Sequence, residues 1–394
     1  MALVHVGFAL LTLFPGQVGG SEANVRGLLG EFGRGGGPDR LTVLANAMVV
    51  EAYAGRTRGP VAMHHVRSYH PGGGALTRLL AMVGAGAAPR RTARDVPPGL
   101  DVLHHPLTVP IPRPPGVPTV TTVYDVQHHE LPHLFSRAER LFRRWAYDGA
   151  ARSADVTVTT SGYSRERLVE LVGADPARVE AVPMGIDHDR FHPEKGDADQ
   201  RLAGRLPERF VVYPANLWAH KNHGRLIDAF SRVRDDELHL VLTGQGYGRE
   251  GALLERARQA GLGDRVVHLG YLDGEEVPAL LRAARAMVFP SLYEGFGSPP
   301  LEAMACGCPV ACSTRASLGE VVGDAALPLE PESVESIAEA IEQVTQDSGL
   351  RDLLRPKGLE RAAGFTWAAA AAGHRAIYER AAATPDPAPH SYRS

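Results

Sequence analysis

SLYEGFGSPPLEAMACGCPV, residues 291–310, places one glutamate, Glu294, at the end of an apolar run and a second, Glu302, beyond a glycine turn and two prolines. The preceding AMVFPS reads as a strand ending near Ser291, and PPLEAMA as the start of a helix, with Ser298 expected as its N-cap and Pro299 at its first helical position. A strand, a glycine turn and a helix N-terminus in that order aim backbone N–H groups and the positive end of a helix dipole beyond the sheet, which suits an anion such as phosphate. Carboxylates do not bind phosphate. Glu294 on the loop and Glu302, expected in the first helical turn, are therefore placed to hold hydroxyls on either side of the anion. A nucleoside diphosphate sugar has that layout, with ribose hydroxyls at one end and sugar hydroxyls at the other.

Working outward, short apolar runs alternate with amphipathic stretches, the pattern of βα units around a parallel sheet. LTVLANAMVV, VAMHHV, DVLHH, TVTTVYD and ADVTVTT read as strands of a first half, and RAERLFRRWAYDGAARS reads as a helix. The alternation restarts with RFVVYPA and runs through ELHLVLTG, RVVHLG and AMVFPS, each followed by a helical stretch. Two doubly wound α/β domains fit this better than one large sheet. The seam is expected in VPMGIDHDRFHPEKGDADQ, giving an N-terminal domain over 1–190 and a C-terminal one over 191–384. The last helix, about 366–384, is open to a crossing back onto the N-terminal domain, and the proline-rich 385–394 reads as a disordered tail. In such folds ligands sit at the carboxyl ends of strands, here in the cleft that two facing domains would form.

The chain has 394 residues, 44% hydrophobic content and a net charge of −3, enough for two cores and without a global reason to bind nucleic acid. MALVHVGFALLTLFPG lacks the basic start and small-residue cleavage site of a signal peptide and is too short to span a bilayer, so a buried first strand over Leu3–Leu10 is preferred. Cys306, Cys308 and Cys312 have no His or Cys partners at a zinc-site spacing; they read as buried reduced thiols and suit the cytoplasm. The helix around Arg137, Arg140, Arg143 and Arg144 mixes them with Phe142 and Trp145, as a membrane-surface helix does. An ordinary solvated helix is the preferred reading, with a peripheral position at the inner face of the membrane left open. GQGYG at 244–248 lacks the rest of a dinucleotide fingerprint, and Asp187, His188, Asp189, Asp197 and Asp199 read as turn and solvent residues rather than metal ligands.

Glu294 and Glu302, seven residues apart within EGFGSPPLEAMACGCPV, resemble the E-x7-E signature of the family-4 retaining glycosyltransferases of GT-B fold, two Rossmann-like domains facing a cleft. YPANLWAHKNHGRLIDAF, LVLTGQG and VVHLGYLDGEEVPALLRAARAMVFPSLYEGFG are similar to further parts of that family's C-terminal half. In the N-terminal half FPGQVGGSE, DVLHH, TVYDVQHHELPHLFS, VTTSGYSRERL and VPMGIDHDRFHP keep its order. The resemblance implies that Glu294 bonds the donor sugar, Glu302 the ribose, and that main-chain groups from Gly295, Phe296, Gly297, Ser298 and Leu301 approach the diphosphate. Lys221 would neutralise that diphosphate as it leaves, and Asn216, His220, Gly244, Tyr271 and Leu272 would complete the donor site. Gly19 and Gly20 would let a first-domain loop close on the donor phosphate or the acceptor, while His104 or His105, with His105 preferred, and Asp125 would contact the sugar or orient the acceptor.

Relatives of that family often carry arginines where this chain has His220 and Asn216, so Lys221 bears most of the charge unless Arg225 or Arg165 helps. They often read His-Asp at Tyr124-Asp125. The implied activity is transfer of a hexose or deoxyhexose with retention, without metal or other cofactor, to a glycan, lipid-linked or natural-product acceptor. YDVQHHELPHLFS resembles mannosyl- and rhamnosyl-transferring members, so GDP-mannose is the first donor expectation, followed by a dTDP- or UDP-sugar. A nucleotide-sugar epimerase or hydrolase of the same fold and a catalytically silent partner subunit are the alternatives. The oligomeric state is not readable.

Overall fold

The computed structural model describes residues 3–16, 19–53, 59–72, 74–87, 89–272 and 274–384, so the expected tail lies outside the described residues. Two compact units emerge, Met1–Gly185 with Trp367–Ser394, and Ile186–Thr366. The first division falls five residues before the expected 190/191 boundary, because Ile186 already bridges Thr366 and donates its N–H to the Phe365 carbonyl at 3.0 Å. The second falls at Trp367, so the last helix belongs to the N-terminal unit.

The N-terminal unit is a seven-stranded sheet of β1 (His5–Leu10), β2 (Arg40–Ala45), β3 (Val61–His65), β4 (Val102–His105), β5 (Thr119–Thr122), β6 (Val156–Thr159) and β7 (Val179–Ala181). Its order is β3-β2-β1-β4-β5-β6-β7, with every pair parallel. All residues of β1, β4 and β5 are buried, as strands covered on both faces must be. LTVLANAMVV does not form one strand. Asn46 ends β2 and caps the helix Ala47–Ala52, accepting from Val49 N while donating to the Leu11 and Leu13 carbonyls at 2.8 and 3.1 Å.

Helix Trp367–Ala383 packs against helix Gly20–Gly33, and a Cβ on Gly27 would stand 2.2 Å from the Trp367 ring, so only glycine admits that approach. Ile377 and Tyr378 enter the core formed by Val6, Phe8, Leu28 and Phe32. The helical run Arg137–Ser153 is continuous but widens into a π-type turn over Arg144–Asp148, which places Asp148, 4% exposed, beneath the segment Gln127–Glu130.

The C-terminal unit is a six-stranded parallel sheet of β8 (Phe210–Pro214), β9 (His239–Thr243), β10 (Val266–His268), β11 (Ala286–Phe289), β12 (Val310–Ser313) and β13 (Leu327–Leu329), in the order β10-β9-β8-β11-β12-β13. The order reverses direction between β8 and β11, which is where an open α/β sheet receives its ligand. Asp199 is not a solvent residue: it accepts from Arg282 Nε and Nη2 at 3.0 and 2.7 Å with both side chains nearly buried, a two-point bond that fixes helix Asp197–Ala203 on helix Glu276–Ala283. Cys306, Cys308 and Cys312 are buried and free, and burial pushes the first two thiols up to about 12. Among the described residues no helix is long and apolar enough to cross a membrane.

Candidate functional site

Lys221 and Glu294 meet at the β8/β11 reversal. After β8 the chain runs through Ala215–Trp218 into a short turn, Ala219–Lys221, and then into helix His223–Phe230. Asn222 joins turn to helix in a left-handed conformation, φ 64°, and its side-chain amide donates to the Pro290 and Pro331 carbonyls at 3.1 and 2.7 Å. The Lys221 carbonyl accepts from the buried Tyr213 hydroxyl at 2.7 Å. Backbone and neighbours thus hold Lys221 still, and its Nζ lies 2.6 Å from Glu294 Oε1 and 5.5 Å from the centre of the Phe289 ring. Both charged side chains are about one-seventh exposed, 15% and 13%, so the pair is poorly screened by water.

The loop after β11 is held just as firmly. Leu292 N donates to the His220 carbonyl at 2.8 Å, tying the loop of Glu294 to the turn of Lys221. Ser317 Oγ lies 2.8 Å from both the Glu294 and the Phe296 carbonyls. The N-cap of the following helix, Ser298–Ala305, is Gly297 rather than the expected Ser298. Its φ is 112°, and a Cβ there would stand 2.6 Å from the Leu318 side chain, so glycine meets both demands and Ser298 moves into the first helical position. Prolines at 299 and 300 leave Ser298 as the only N–H donor among the first three helical residues. Glu302 consequently lies past the first turn, not within it. Burial pushes its carboxyl up to about 7, with Arg190 opposing the shift and Asp187 adding to it.

Asn216, Gly244, Tyr271 and Leu272 follow neighbouring strands. Asn216 Oδ1 accepts from Gln245 N at 2.7 Å and so joins the loop after β8 to that after β9. Gly244, φ 128°, donates its N–H to the Gly270 carbonyl at 2.8 Å, and a Cβ on it would be 2.7 Å from the Ala215 carbonyl; the close approach explains this glycine without a dinucleotide. Tyr271 is 71% exposed and Leu272 is buried beside it. Arg225, weighed as a helper for Lys221, gives its Nη1 to Asn222 Oδ1 and the Pro331 carbonyl. Arg165, in the other unit, bonds the Val179 and Pro176 carbonyls.

In the N-terminal unit Gly19, φ 64°, is the N-cap of the helix that begins at Gly20, and a buried glutamate that sequence reasoning passed over, Glu22, accepts from Gly16 N at 2.8 Å and closes that loop. Asp125 accepts from Gln127 N and faces Arg143 at 3.7 Å. Tyr124, in place of the family's histidine, is bonded to the Pro106 carbonyl and to Asn24 at 2.9 and 3.1 Å. His105 is a core-facing side chain. It is 1% exposed with Nε2 on the Pro112 carbonyl at 2.7 Å, and burial lowers its pKa to about 3, so it is a neutral ring of the strand core. His104 is likewise held, between Tyr378 and Thr122 at 2.7 and 2.8 Å. Asn222 and Ser317 were the other residues missed: an Asn directly after Lys221 is a recognisable left-handed cap, whereas Ser317 carries no local signal.

Two family models together span the described halves, Glycosyltransferase Family 4 over residues 18–190 and Glycosyl transferases group 1 over residues 195–361. The chain belongs to the family-4 glycosyltransferases. Within the family it is 29% identical over 256 residues to the O-antigen chain mannosyltransferase B of Escherichia coli, covering 63% of this chain and 66% of that one. It is 31% identical over 293 residues to the D-inositol 3-phosphate glycosyltransferase of Salinispora arenicola, covering 69% of this chain and 65% of that one. The match therefore spans slightly under two thirds of these relatives' length. The GT-B fold is shared with Anabaena HepE, solved with UDP and glucose, at a TM-score of 0.73 and 19% identity over 96% of this chain and 100% of that one. Sucrose-phosphate synthase from Thermosynechococcus elongatus gives 0.77 and 21% over 96% and 98%.

Proposed function

We propose that this family-4 protein is a retaining, nucleotide-sugar-dependent glycosyltransferase that moves a hexose or deoxyhexose to an acceptor hydroxyl without a metal. The 2.6 Å contact between Lys221 and Glu294 carries the reading, because it brings together the cation suited to a diphosphate and the carboxylate suited to sugar hydroxyls. In the donor-free protein the two satisfy each other. On binding, the diphosphate replaces Glu294 as the partner of Lys221, and the released carboxylate accepts hydrogen bonds from the sugar. Gly297 and Ser298 receive the diphosphate from the helix side, and Glu302 takes the ribose. As the glycosidic bond breaks, charge grows on the departing phosphate, where the fixed lysine and helix N-terminus stabilise it more strongly than in the ground state. The departing phosphate takes the acceptor's proton on the same face, so neither carboxylate needs to serve as nucleophile.

GDP-mannose is the first donor in this reading, supported by the likeness to a mannosyltransferase, with dTDP- and UDP-sugars next; the acceptor is assigned to the N-terminal unit through Asp125 and the Gly19–Gly20 loop. Calorimetry with GDP, UDP and dTDP tests the nucleotide class, followed by transfer from the corresponding radiolabelled sugar nucleotide. One nucleotide is expected to bind tightest and its sugar to appear in product with the anomeric configuration kept. Binding of none of the three would leave a silent subunit, and release or epimerisation of the sugar without any acceptor would favour the hydrolase or epimerase.

A further inference from the structure

His128, His129 and Asp148 form a cluster in the N-terminal unit that no step above uses. His128 Nε2 lies 3.0 Å from Asp148 Oδ1 and His129 Nε2 lies 2.9 Å from Asp148 Oδ2, and the three ligand atoms all fall within 4.8 Å of one another. The two rings are 4.3 Å apart, centre to centre, and converge on the carboxylate from one short helix, Gln127–Glu130. The π-type turn is what delivers Asp148 to this place.

The cluster is largely buried. Asp148 is 4% exposed, so its carboxylate is closed off from water. Among the described residues no lysine or arginine lies within 4.0 Å of it; its only ion-pair partners are the two imidazoles. His128 is 2% exposed and equally closed off.

We propose that His128 Nε2, His129 Nε2 and an Asp148 oxygen bind one divalent transition-metal ion of the zinc class. Two imidazole nitrogens and a carboxylate are a borderline-soft donor set, and each nitrogen already stands 2.9–3.0 Å from one carboxylate oxygen, on the side from which bonds of about 2.0–2.1 Å would be made. His129, whose side chain keeps 16% exposure, marks the side on which water completes the coordination. The ion is structural: it locks the segment that begins at Asp125 onto the helical run Arg137–Ser153. The donor residues belong to the other unit, so this site stands whether or not the proposed donor chemistry does.

The full chain, stripped with EDTA and dialysed, is titrated with Co²⁺ and Zn²⁺ at pH 7.5, reading Co²⁺ ligand-field absorption, stoichiometry by calorimetry and melting temperature. One equivalent is expected, with a Co²⁺ band displaced by Zn²⁺ and a raised Tm. His129→Gln, at the wetter edge, and Asp148→Asn are each expected to weaken binding at least tenfold and to abolish the band. If Asp148→Asn fails to fold by circular dichroism, His129→Gln decides. No stoichiometric binding, or equal affinity in His129→Gln and wild type, would overturn the proposal, the latter placing the ion on other histidines among the 17 in the chain.

Discussion

Lys221 and Glu294 each have a ready partner before any ligand arrives, and that pairing makes an unusual demand on mutants. In Glu294→Gln the lysine is free to meet a diphosphate without first breaking an ion pair. The bare nucleoside diphosphate is expected to bind about three- to tenfold tighter than to wild type, equivalent to a pair worth about 1 kcal/mol, while transfer falls because the sugar has lost its carboxylate. Calorimetry beside a transfer assay reads both. Lys221→Ala removes the cation instead, and a drop of about 10²–10³ in kcat is expected from the transition-state charge it no longer meets. Glu302 adds a pH dependence. Its carboxyl titrates near 7 in the free protein, and the ionised form is the better acceptor for ribose hydroxyls, so affinity should rise from pH 6 to pH 8 as the proton is lost. The rise should vanish in Glu302→Gln, as a pH series of nucleotide affinities would show.

At the scale of elements, the glycine turn of residues 295–297 depends on its backbone more than on its side chains. Gly297→Ala forces an L-residue to φ 112° and drives a methyl into Leu318, which is expected to cost about 1–3 kcal/mol. For a unit of this size that is a fall of roughly 3–8 °C in Tm, measurable by calorimetric melting, together with weaker nucleotide binding. This turn was legible in the sequence because strand, glycines, prolines and glutamates sit within twenty residues and each type has a local reason to be there. Its cap was misplaced by one residue, since Ser298 is the better intrinsic N-cap and the space taken by Leu318, from a distant segment, selects Gly297. LTVLANAMVV misled for the opposite reason: its hydrophobicity is continuous, and only the bonds from Asn46 to Leu11 and Leu13 split it. The burial of His105 was not legible, because an adjacent pair of histidines at a strand end looks the same in sequence whichever way each ring faces.

For the whole molecule, the alternation of strands and helices carried the fold class, while the return of the last helix depended on contacts across more than three hundred residues. Tyr378 is buried against His104 at 2.7 Å, and burial lowers the histidine well below its usual pKa, so the ring stays neutral. Tyr378→Phe leaves that nitrogen unpaired and is expected to cost about 1–3 kcal/mol of N-terminal-unit stability. Nucleotide affinity should be unchanged, because the donor residues lie in the other unit. A fluorescence melt and a binding isotherm on the same variant separate the two. The Trp367 ring under Gly27 has one more consequence, which concerns birth rather than stability. During synthesis the seven-stranded sheet emerges first but lacks its closing helix until every residue to Ala383 has been made, whereas Ile186–Thr366 is contiguous and complete before then. The earlier-made unit is therefore expected to complete its fold only after all of Ile186–Thr366 has been synthesised, a departure from the usual N-to-C order.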